Sequence, residues 1–155
     1  MTRDQLITLA RLAAASHGLP PEVLCGQVER ESQWNPWAIR FEPKFESHYV
    51  EPLVGPEGLS QTEALARSIS WGLCQVLGEV ARELGFQGKY LSELSDPVVG
   101  LEYGCRKLAK CLRNTNGDMA RALEEFNGSG NKNYASEVLA LAPPYRLSPI
   151  VTEHA

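Results

Sequence analysis

The sequence lacks long apolar runs, an excess of basic residues and any cysteine pair with zinc-binding spacing. No hydrophobic stretch approaches the ~20 residues that a membrane-spanning helix needs. The net charge is −4, and a chain without a basic patch cannot neutralise the phosphates of a nucleic acid. We therefore expect neither a membrane span nor a nucleic-acid partner.

Cysteine and histidine are scarce, with four and three residues respectively. No two cysteines are separated by only two residues, as in a zinc knuckle, and the histidines do not cluster with them. Cys105 and Cys111 are six positions apart on one predicted helix, so their side chains diverge. We expect buried free thiols, no metal site and no cofactor.

The N-terminal residues carry an acid and have no long apolar core. Residues 1–5 read Met-Thr-Arg-Asp-Gln, which is not the pattern of a secretory signal. The sequence therefore predicts synthesis in the cytoplasm without a signal peptide. If the protein acts outside the cell membrane, another factor is expected to deliver it.

Apolar periodicity predicts a mostly α-helical single domain over residues 1–155. The core is expected over about 5–141, with 142–155 as a loosely held tail. Start and stop signals place helices at 2–16, 20–31, 60–67, 71–84, 97 to before 116, 118–126 and 132–141. The basic residues Arg106, Lys107, Lys110 and Arg113 are expected on a solvated face.

One long irregular stretch, residues 34–59, interrupts the helical pattern. It contains four prolines and two glycines and shows no helical period. A short strand or hairpin is expected within it, at about 47–54. Long irregular segments inside a compact domain are often functional.

Glu31 lies where an apolar helix gives way to this irregular stretch. Pro36 disfavours helical backbone at Asn35, so Glu31 falls near a helix C-terminus, where the dipole disfavours a negative charge. Trp34 and Trp37 are close enough in sequence to exclude water. Both effects raise the pKa of a carboxyl group, which suits a general acid. Taken alone, however, such a residue is more often a solvated glutamate.

Four residues downstream add ligand-binding chemistry. Gln75 offers a donor and an acceptor, which suits the acetamido and hydroxyl groups of amino sugars. Phe126 and Asn127 set an aromatic ring and an amide at a helix end, and Tyr134 lies one turn into the last helix. Each also has a structural explanation: an exposed amide for Gln75, a helix stop for Asn127, and core packing for both aromatic residues.

The order and spacing of these segments carry more information than any one of them. The segments are Glu31-Ser32-Gln33-Trp34-Asn35-Pro36, Ser70-Trp71-Gly72-Leu73-Cys74-Gln75, Phe126-Asn127-Gly128 and Tyr134-Ala135-Ser136-Glu137-Val138. From about residue 5 to residue 141 the chain resembles the soluble lytic transglycosylase family. The resemblance implies a lysozyme-like fold of the goose type and cleavage of peptidoglycan glycan strands.

The resemblance also implies roles for individual residues. The catalytic acid of the family falls on Glu31, the hydroxyl that follows it on Ser32, and the amide that contacts the muramic sugar on Gln75. Asn127 matches the polar residue after the family's aromatic residue. The family's tyrosine is replaced by Phe126, which has no hydroxyl to orient the glutamate, and Tyr134 is the candidate to supply one.

The sequence differs from the family at one more position, Cys74, and one further segment resembles a different group of enzymes. Cys74 stands where the family has methionine, and its shorter side chain is expected to leave more room in the groove. The segment Arg40-Phe41-Glu42-Pro43 resembles a motif of some phage muramidases. This resemblance implies a phage-encoded endolysin or virion component that acts on the cell wall in the periplasm, with other phage virion or lysis proteins as partners.

Three functions stay open at this stage. In lytic transglycosylation Glu31 acts as acid and then as base, and the substrate's own C6 hydroxyl closes a 1,6-anhydro ring. In a muramidase a second carboxylate activates water, and Glu42 is the first candidate, with Glu46 as the other. The third possibility is a phage tail module that binds peptidoglycan without cutting it.

Overall fold

The computed structural model describes residues 1–56, 58–128 and 130–146. The α-helices are α1 (Arg3–Ser16), α2 (Pro21–Ser32), α3 (Pro43–Phe45), α4 (Gln61–Arg67), α5 (Gly78–Glu83), α6 (Pro97–Asn114), α7 (Met119–Asn127) and α8 (Tyr134–Leu141). Short π- or 3₁₀-helical turns lie at Glu46–Val50, Glu51–Leu53, Leu91–Ser95 and Pro143–Tyr145. Strands β1 (Ile39–Phe41), β2 (Ile69–Trp71) and β3 (Val76–Leu77) form one antiparallel sheet in that order.

Side-chain caps lie at the predicted starts of four helices, α1, α4, α6 and α7. At α4, the Ser60 hydroxyl accepts from the backbone N–H of Glu63 at 3.1 Å. Thr2 and Gln5 form a reciprocal capping box at the start of α1. Asp96 accepts hydrogen bonds from two backbone N–H groups in the first turn of α6, and Asp118 accepts one in the first turn of α7. Each cap satisfies N–H groups that have no partner inside the helix.

The core lies where the long helices meet. Helix α2 packs against α1 and α8, and α6 packs against α1 and α7. All four cysteines are buried and free, as predicted. Burial raises the pKa of the Cys25 thiol to about 11 and that of Cys105 to about 12. These cysteines therefore remain neutral thiols that act as small apolar side chains.

The helix predicted over 71–84 is wrong in its first half. The chain runs through β2, turns over residues 72–75 and returns in β3, and α5 begins only at Gly78. Gly72 has φ +66°, and a Cβ there would lie 2.4 Å from the carbonyl oxygen of Leu94. The turn thus needs glycine, both for its backbone conformation and for its close approach to Leu94. Gln75 ends the turn with φ +47°.

The strand predicted at 47–54 is also wrong. Residues 46–53 are helical turns, and the strand of the irregular stretch is β1 at Ile39–Phe41. Pro43 and Pro52 each lie in the first turn of a short helix, where proline is well tolerated because no intrahelical N–H bond is lost. Pro43 and Pro52, which belong to the stretch predicted to be irregular, therefore lie in the first turns of short helices.

The loosely held tail predicted for 142–155 is wrong at its start. Ala142 and Tyr145 are only 3% and 6% exposed. The Tyr145 hydroxyl accepts hydrogen bonds from Trp34 Nε1 at 3.0 Å and Arg3 Nη2 at 3.1 Å, and it donates to Glu29. Residues 142–146 thus close the domain against α1 and the end of α2. The rest of the predicted tail, 147–155, lies outside the described residues.

Candidate active site

A groove of about 630 Å³ lies between the end of α2, the sheet, α6 and the adjoining ends of α7 and α8, a size typical of ligand sites. Six of the seven predicted site residues line it: Glu31, Glu42, Gln75, Phe126, Asn127 and Tyr134. Ser32 does not line it. Its hydroxyl donates to the backbone oxygen of Val28 at 3.1 Å, a local contact that binds the side chain to its own helix.

Glu31 is the penultimate residue of α2. The helix ends there because Gln33 and Trp34 both adopt left-handed backbone conformations, with φ of 51° and 65°. Burial raises the pKa of Glu31, while a hydrogen bond from Tyr134 and the positive charge of Lys107 partly oppose the rise. The net direction is upward, which favours the protonated form that a general acid needs.

Tyr134 is the direct partner of Glu31. Its hydroxyl donates to Glu31 Oε1 at 2.5 Å. The Tyr134 hydroxyl oxygen in turn accepts a hydrogen bond from Gln27 Nε2 at 3.1 Å, and Gln27 is fully buried one turn before Glu31 on α2. Because Gln27 donates to the tyrosine oxygen, the tyrosine proton is directed at the carboxylate. The sequence identified Tyr134 as a hydroxyl source, but it gave no sign of Gln27.

The two tryptophans do not shield Glu31. Trp34 is 5% exposed but packs against Tyr145, and Trp37 is 73% exposed. Neither lines the groove. Its apolar surface comes from Phe45, Leu77, Val80, Phe126 and Tyr134. The predicted desolvation of Glu31 is present, but the expected cause was wrong.

One row of the sheet faces the groove. Arg40 on β1 pairs with Ser70 on β2, which pairs with Leu77 on β3, and all three line the groove. Gln75 fastens the turn beside this row, since its Nε2 donates to the backbone oxygens of Ala38 at 3.0 Å and Gly72 at 2.9 Å. The donor half of the amide is therefore occupied by the protein, and Oε1 is the atom left for a substrate donor.

Glu42 lines the groove and directly follows β1 in the chain. It is ion-paired with Arg40, with Arg40 Nε 2.6 Å from Glu42 Oε1. Its backbone N–H donates to the Ser68 oxygen at 2.9 Å, which fixes the chain at this point. Glu46, the other predicted second carboxylate, does not line the groove.

Cys74 does not open extra room in the groove. It is fully buried and packs against α6, where a Cβ at Gly104 would lie 2.4 Å from its Sγ. The smaller side chain is matched by a glycine on the facing helix, so the space is filled by backbone and not left for substrate.

Lys107 contradicts the prediction of a solvated basic face. It lines the groove, and its Nζ lies 3.9 Å from the ring centre of Phe126. Gly100 and Gly104 precede it at helical spacing on α6, and both closely approach the 73–74 turn or Leu94. Glycines at i−7 and i−3 were a sequence signal that this face of α6 is covered.

Among the described residues, no three histidine, cysteine, aspartate or glutamate side chains come together in a way that could hold a metal ion. Within the same part of the chain, no helix is both long and apolar enough to span a bilayer.

Comparison with known proteins gives one match. The model of a family described as the transglycosylase SLT domain matches residues 8–138. No curated protein and no solved structure matches the chain. The matched range includes Glu31, Glu42, Gln75, Asn127 and Tyr134, and it contains every residue that lines the groove.

Proposed function

The chain belongs to the transglycosylase SLT domain family, and on that premise we propose that it cleaves the β-1,4 bond between N-acetylmuramic acid and N-acetylglucosamine by lytic transglycosylation. Membership of the family supports a glycosidase or transglycosylase that acts on peptidoglycan in the cell wall. The observation that carries the finer proposal is the half-buried Glu31, whose pKa desolvation raises, together with its hydrogen bond from Tyr134.

In the first step Glu31 acts as an acid. Its proton passes to the bridging oxygen as the bond from that oxygen to muramic C1 breaks, and C1 develops oxocarbenium character. The acetamido group of the muramic sugar can stabilise that centre, so this step needs no second carboxylate. The hydrogen bond from Tyr134 fixes the Glu31 carboxyl group while its proton leaves.

In the second step the same group acts as a base. The Glu31 carboxylate takes the proton of the muramic C6 hydroxyl, and O6 bonds to C1 to close the 1,6-anhydro ring. Glu31 ends the cycle protonated, so atoms and charge balance without water. Tyr134 donates to the carboxylate between the two steps and lowers its free energy.

The alternative is a muramidase in which water attacks C1. Such an enzyme needs a second carboxylate, and Glu42, which lines the groove, is the candidate for it. Its ion pair with Arg40 holds the side chain in place. Glu42→Gln should leave a transglycosylase mostly active but should cripple a muramidase. Assay of this variant on purified sacculi separates the two reactions.

The role of Glu31 is tested by loss of turbidity in a suspension of cell walls. Glu31→Gln should abolish lysis, while the matched control Glu22→Gln should not. Glu22 lies in the first turn of the same helix and does not line the groove. Full lysis by Glu31→Gln would contradict the proposal, and absence of lysis by the wild-type protein would favour the peptidoglycan-binding module.

The phage setting is a separate part of the proposal. The resemblance of residues 40–43 to phage muramidases supports an endolysin or a virion component that works with other phage proteins. Mass spectrometry of purified virions and of the lysate of infected cells tests it. Detection in virions supports a virion enzyme, detection only in the lysate supports an endolysin, and detection in uninfected cells that carry no prophage contradicts a phage origin.

A further inference from the structure

Lys107 is a cation in the groove whose charge opposes the rise in the pKa of Glu31 but which takes part in neither step of the mechanism. Its stem comes from α6, and its ammonium lies over the face of Phe126 on α7, 3.9 Å from the ring centre. A cation over an aromatic face is held by the ring's negative potential, more strongly where water is partly excluded. The contact therefore fixes the ammonium at one place in the groove.

The other groove cations already have acidic partners. Arg30 Nε lies 2.5 Å from Glu137 Oε2, and Arg40 is paired with Glu42. Over residues 1–56, 58–128 and 130–146, by contrast, no carboxylate oxygen lies within 4.0 Å of the Lys107 ammonium.

The acids nearest the groove are directed elsewhere. Glu125 lines the groove, but its Oε1 accepts from Asn114 Nδ2 at 2.6 Å. Glu31 accepts from Tyr134. Lys107 thus brings a positive charge to a groove of an otherwise acidic protein, and that charge is not neutralised by an ion pair within the described part of the chain.

Resting on the proposed function, we propose that Lys107 forms a carboxylate-binding subsite that recognises an anionic group of the muramic unit in the groove. Two groups of peptidoglycan offer this chemistry. One is the lactyl carboxylate of a muramic acid whose peptide has been removed, and the other is a free carboxylate of the stem peptide. N-acetylglucosamine carries neither, so the subsite distinguishes the two sugars of the alternating strand.

The surroundings of Lys107 suit this task. Burial lowers the pKa of the Lys107 ammonium, and an incoming carboxylate would oppose that effect by favouring the charged form. Phe126 supports the cation without a hydroxyl that could compete for it. The replacement of the family's tyrosine by phenylalanine at this position is therefore consistent with a ring that serves as a platform for Lys107.

Binding measurements without turnover test the proposal. The protein is the full chain carrying Glu31→Gln, and calorimetry compares Lys107 with Lys107→Met, which keeps an unbranched side chain one atom shorter and removes its charge. Lys110→Met on the exposed side of α6 is the matched control, and Lys107→Arg retains the charge. Probes are peptide-free glycan oligosaccharides, the same oligosaccharides methyl-esterified, peptide-bearing oligosaccharides and chitohexaose.

Lys107→Met should weaken binding of the carboxylate-bearing probe by about tenfold or more, as expected for loss of a charge-assisted hydrogen bond. It should leave chitohexaose and the esterified probe unchanged, and Lys107→Arg should retain most of the preference. An effect on peptide-free strands identifies the lactyl carboxylate, and an effect only on peptide-bearing strands identifies the peptide. Equal losses on chitohexaose, or no loss on any probe, would overturn the subsite.

Esterification of the ligand provides a test that needs no substitution at Lys107. Esterified and free-acid strands should differ by a similar factor in binding to the Glu31→Gln protein, and equal affinities would overturn the proposal. These assays do not depend on bond cleavage. If the wild-type protein cleaves peptidoglycan but binding does not depend on carboxylates, the subsite is refuted and the proposed function stands. If binding depends on carboxylates but the wild-type protein cleaves nothing, the subsite stands and the proposed function is refuted.

Discussion

The hydroxyl of Tyr134 donates a hydrogen bond to Oε1 of Glu31 at 2.5 Å across 103 residues of sequence. This hydrogen bond connects the first residue of α8 with the last turn of α2. The buried Gln27 amide donates to the Tyr134 hydroxyl oxygen and thereby directs the hydroxyl proton toward Glu31. Burial and this hydrogen bond act on the pKa of Glu31 in opposite directions. The balance between them sets how much of the carboxyl group is protonated.

Tyr134→Phe should shift the pH profile of the enzyme. The hydrogen bond favours the carboxylate, so its loss raises the pKa of Glu31, and the alkaline limb of kcat/KM moves to higher pH because the acid stays protonated longer. The rate at the optimum should fall about 10- to 100-fold, since a hydrogen bond to a charged group contributes ~1.5–3 kcal/mol. Release of muropeptides measured across the pH range checks both effects.

The control for this variant is Tyr103→Phe. Tyr103 packs against Phe86 in an edge-to-face contact and does not line the groove. The Tyr103→Phe variant should have the same pH profile of kcat/KM as the wild type. If the alkaline limb of kcat/KM for Tyr134→Phe lies at the same pH as for the wild type, the hydrogen bond does not set the pKa of Glu31.

Glu31→Gln should make the protein more stable at neutral pH while it removes activity. The folded protein holds the pKa of Glu31 above the ordinary value of 4.5 because of burial. The protonated group is therefore favourable to folding at low pH, and that contribution is lost as the pH rises through the folded-state pKa. Glutamine stays neutral throughout, so it avoids the cost of a buried charge.

Urea unfolding over a series of pH values measures this effect. The free energy of unfolding of Glu31→Gln should exceed that of the wild type at pH 7, and the difference should vanish below the unfolded-state pKa. Glu22→Gln serves as the control on the same helix. A glutamine variant less stable than the wild type at pH 7 would contradict the assignment of burial as the main cause.

Tyr145→Phe should destabilise the protein without impairing the groove. The change leaves the buried Trp34 Nε1 without its acceptor and removes the donor to Glu29. An unpaired buried donor costs about 1–3 kcal/mol. Urea unfolding checks the loss against the control Tyr49→Phe, since Tyr49 is 66% exposed. An unchanged midpoint would mean that residues 142–146 do not close the core.

The sequence predicted what depends on neighbours along the chain. The end of α2 just after Glu31, the starts of α6 and α7, and the four buried thiols all follow from local patterns and local chemistry. The expected rise in the pKa of Glu31 is also present, and desolvation is its largest cause. The tryptophans named as its shield were close in sequence but not in space.

What the sequence missed depends on distant partners. The β2–β3 turn was predicted as helix because Trp71, Leu73, Cys74 and Val76 are apolar in either structure, and only the close approach of Leu94 to Gly72 decides between them. Tyr145 looked like a tail because its partners precede it by more than 100 residues. Lys107 was predicted to be solvated because it is charged and has basic neighbours. The glycines on its face of α6, which indicate that this face is covered, were not considered.

The measurement that tests the central claim most directly is mass spectrometry of muropeptides released from purified peptidoglycan by the wild-type protein. Transglycosylation by Glu31 predicts products that end in 1,6-anhydromuramic acid, with none from Glu31→Gln. Products with reducing muramic ends would contradict the account, because they would mean that water attacks C1, and would shift attention to Glu42.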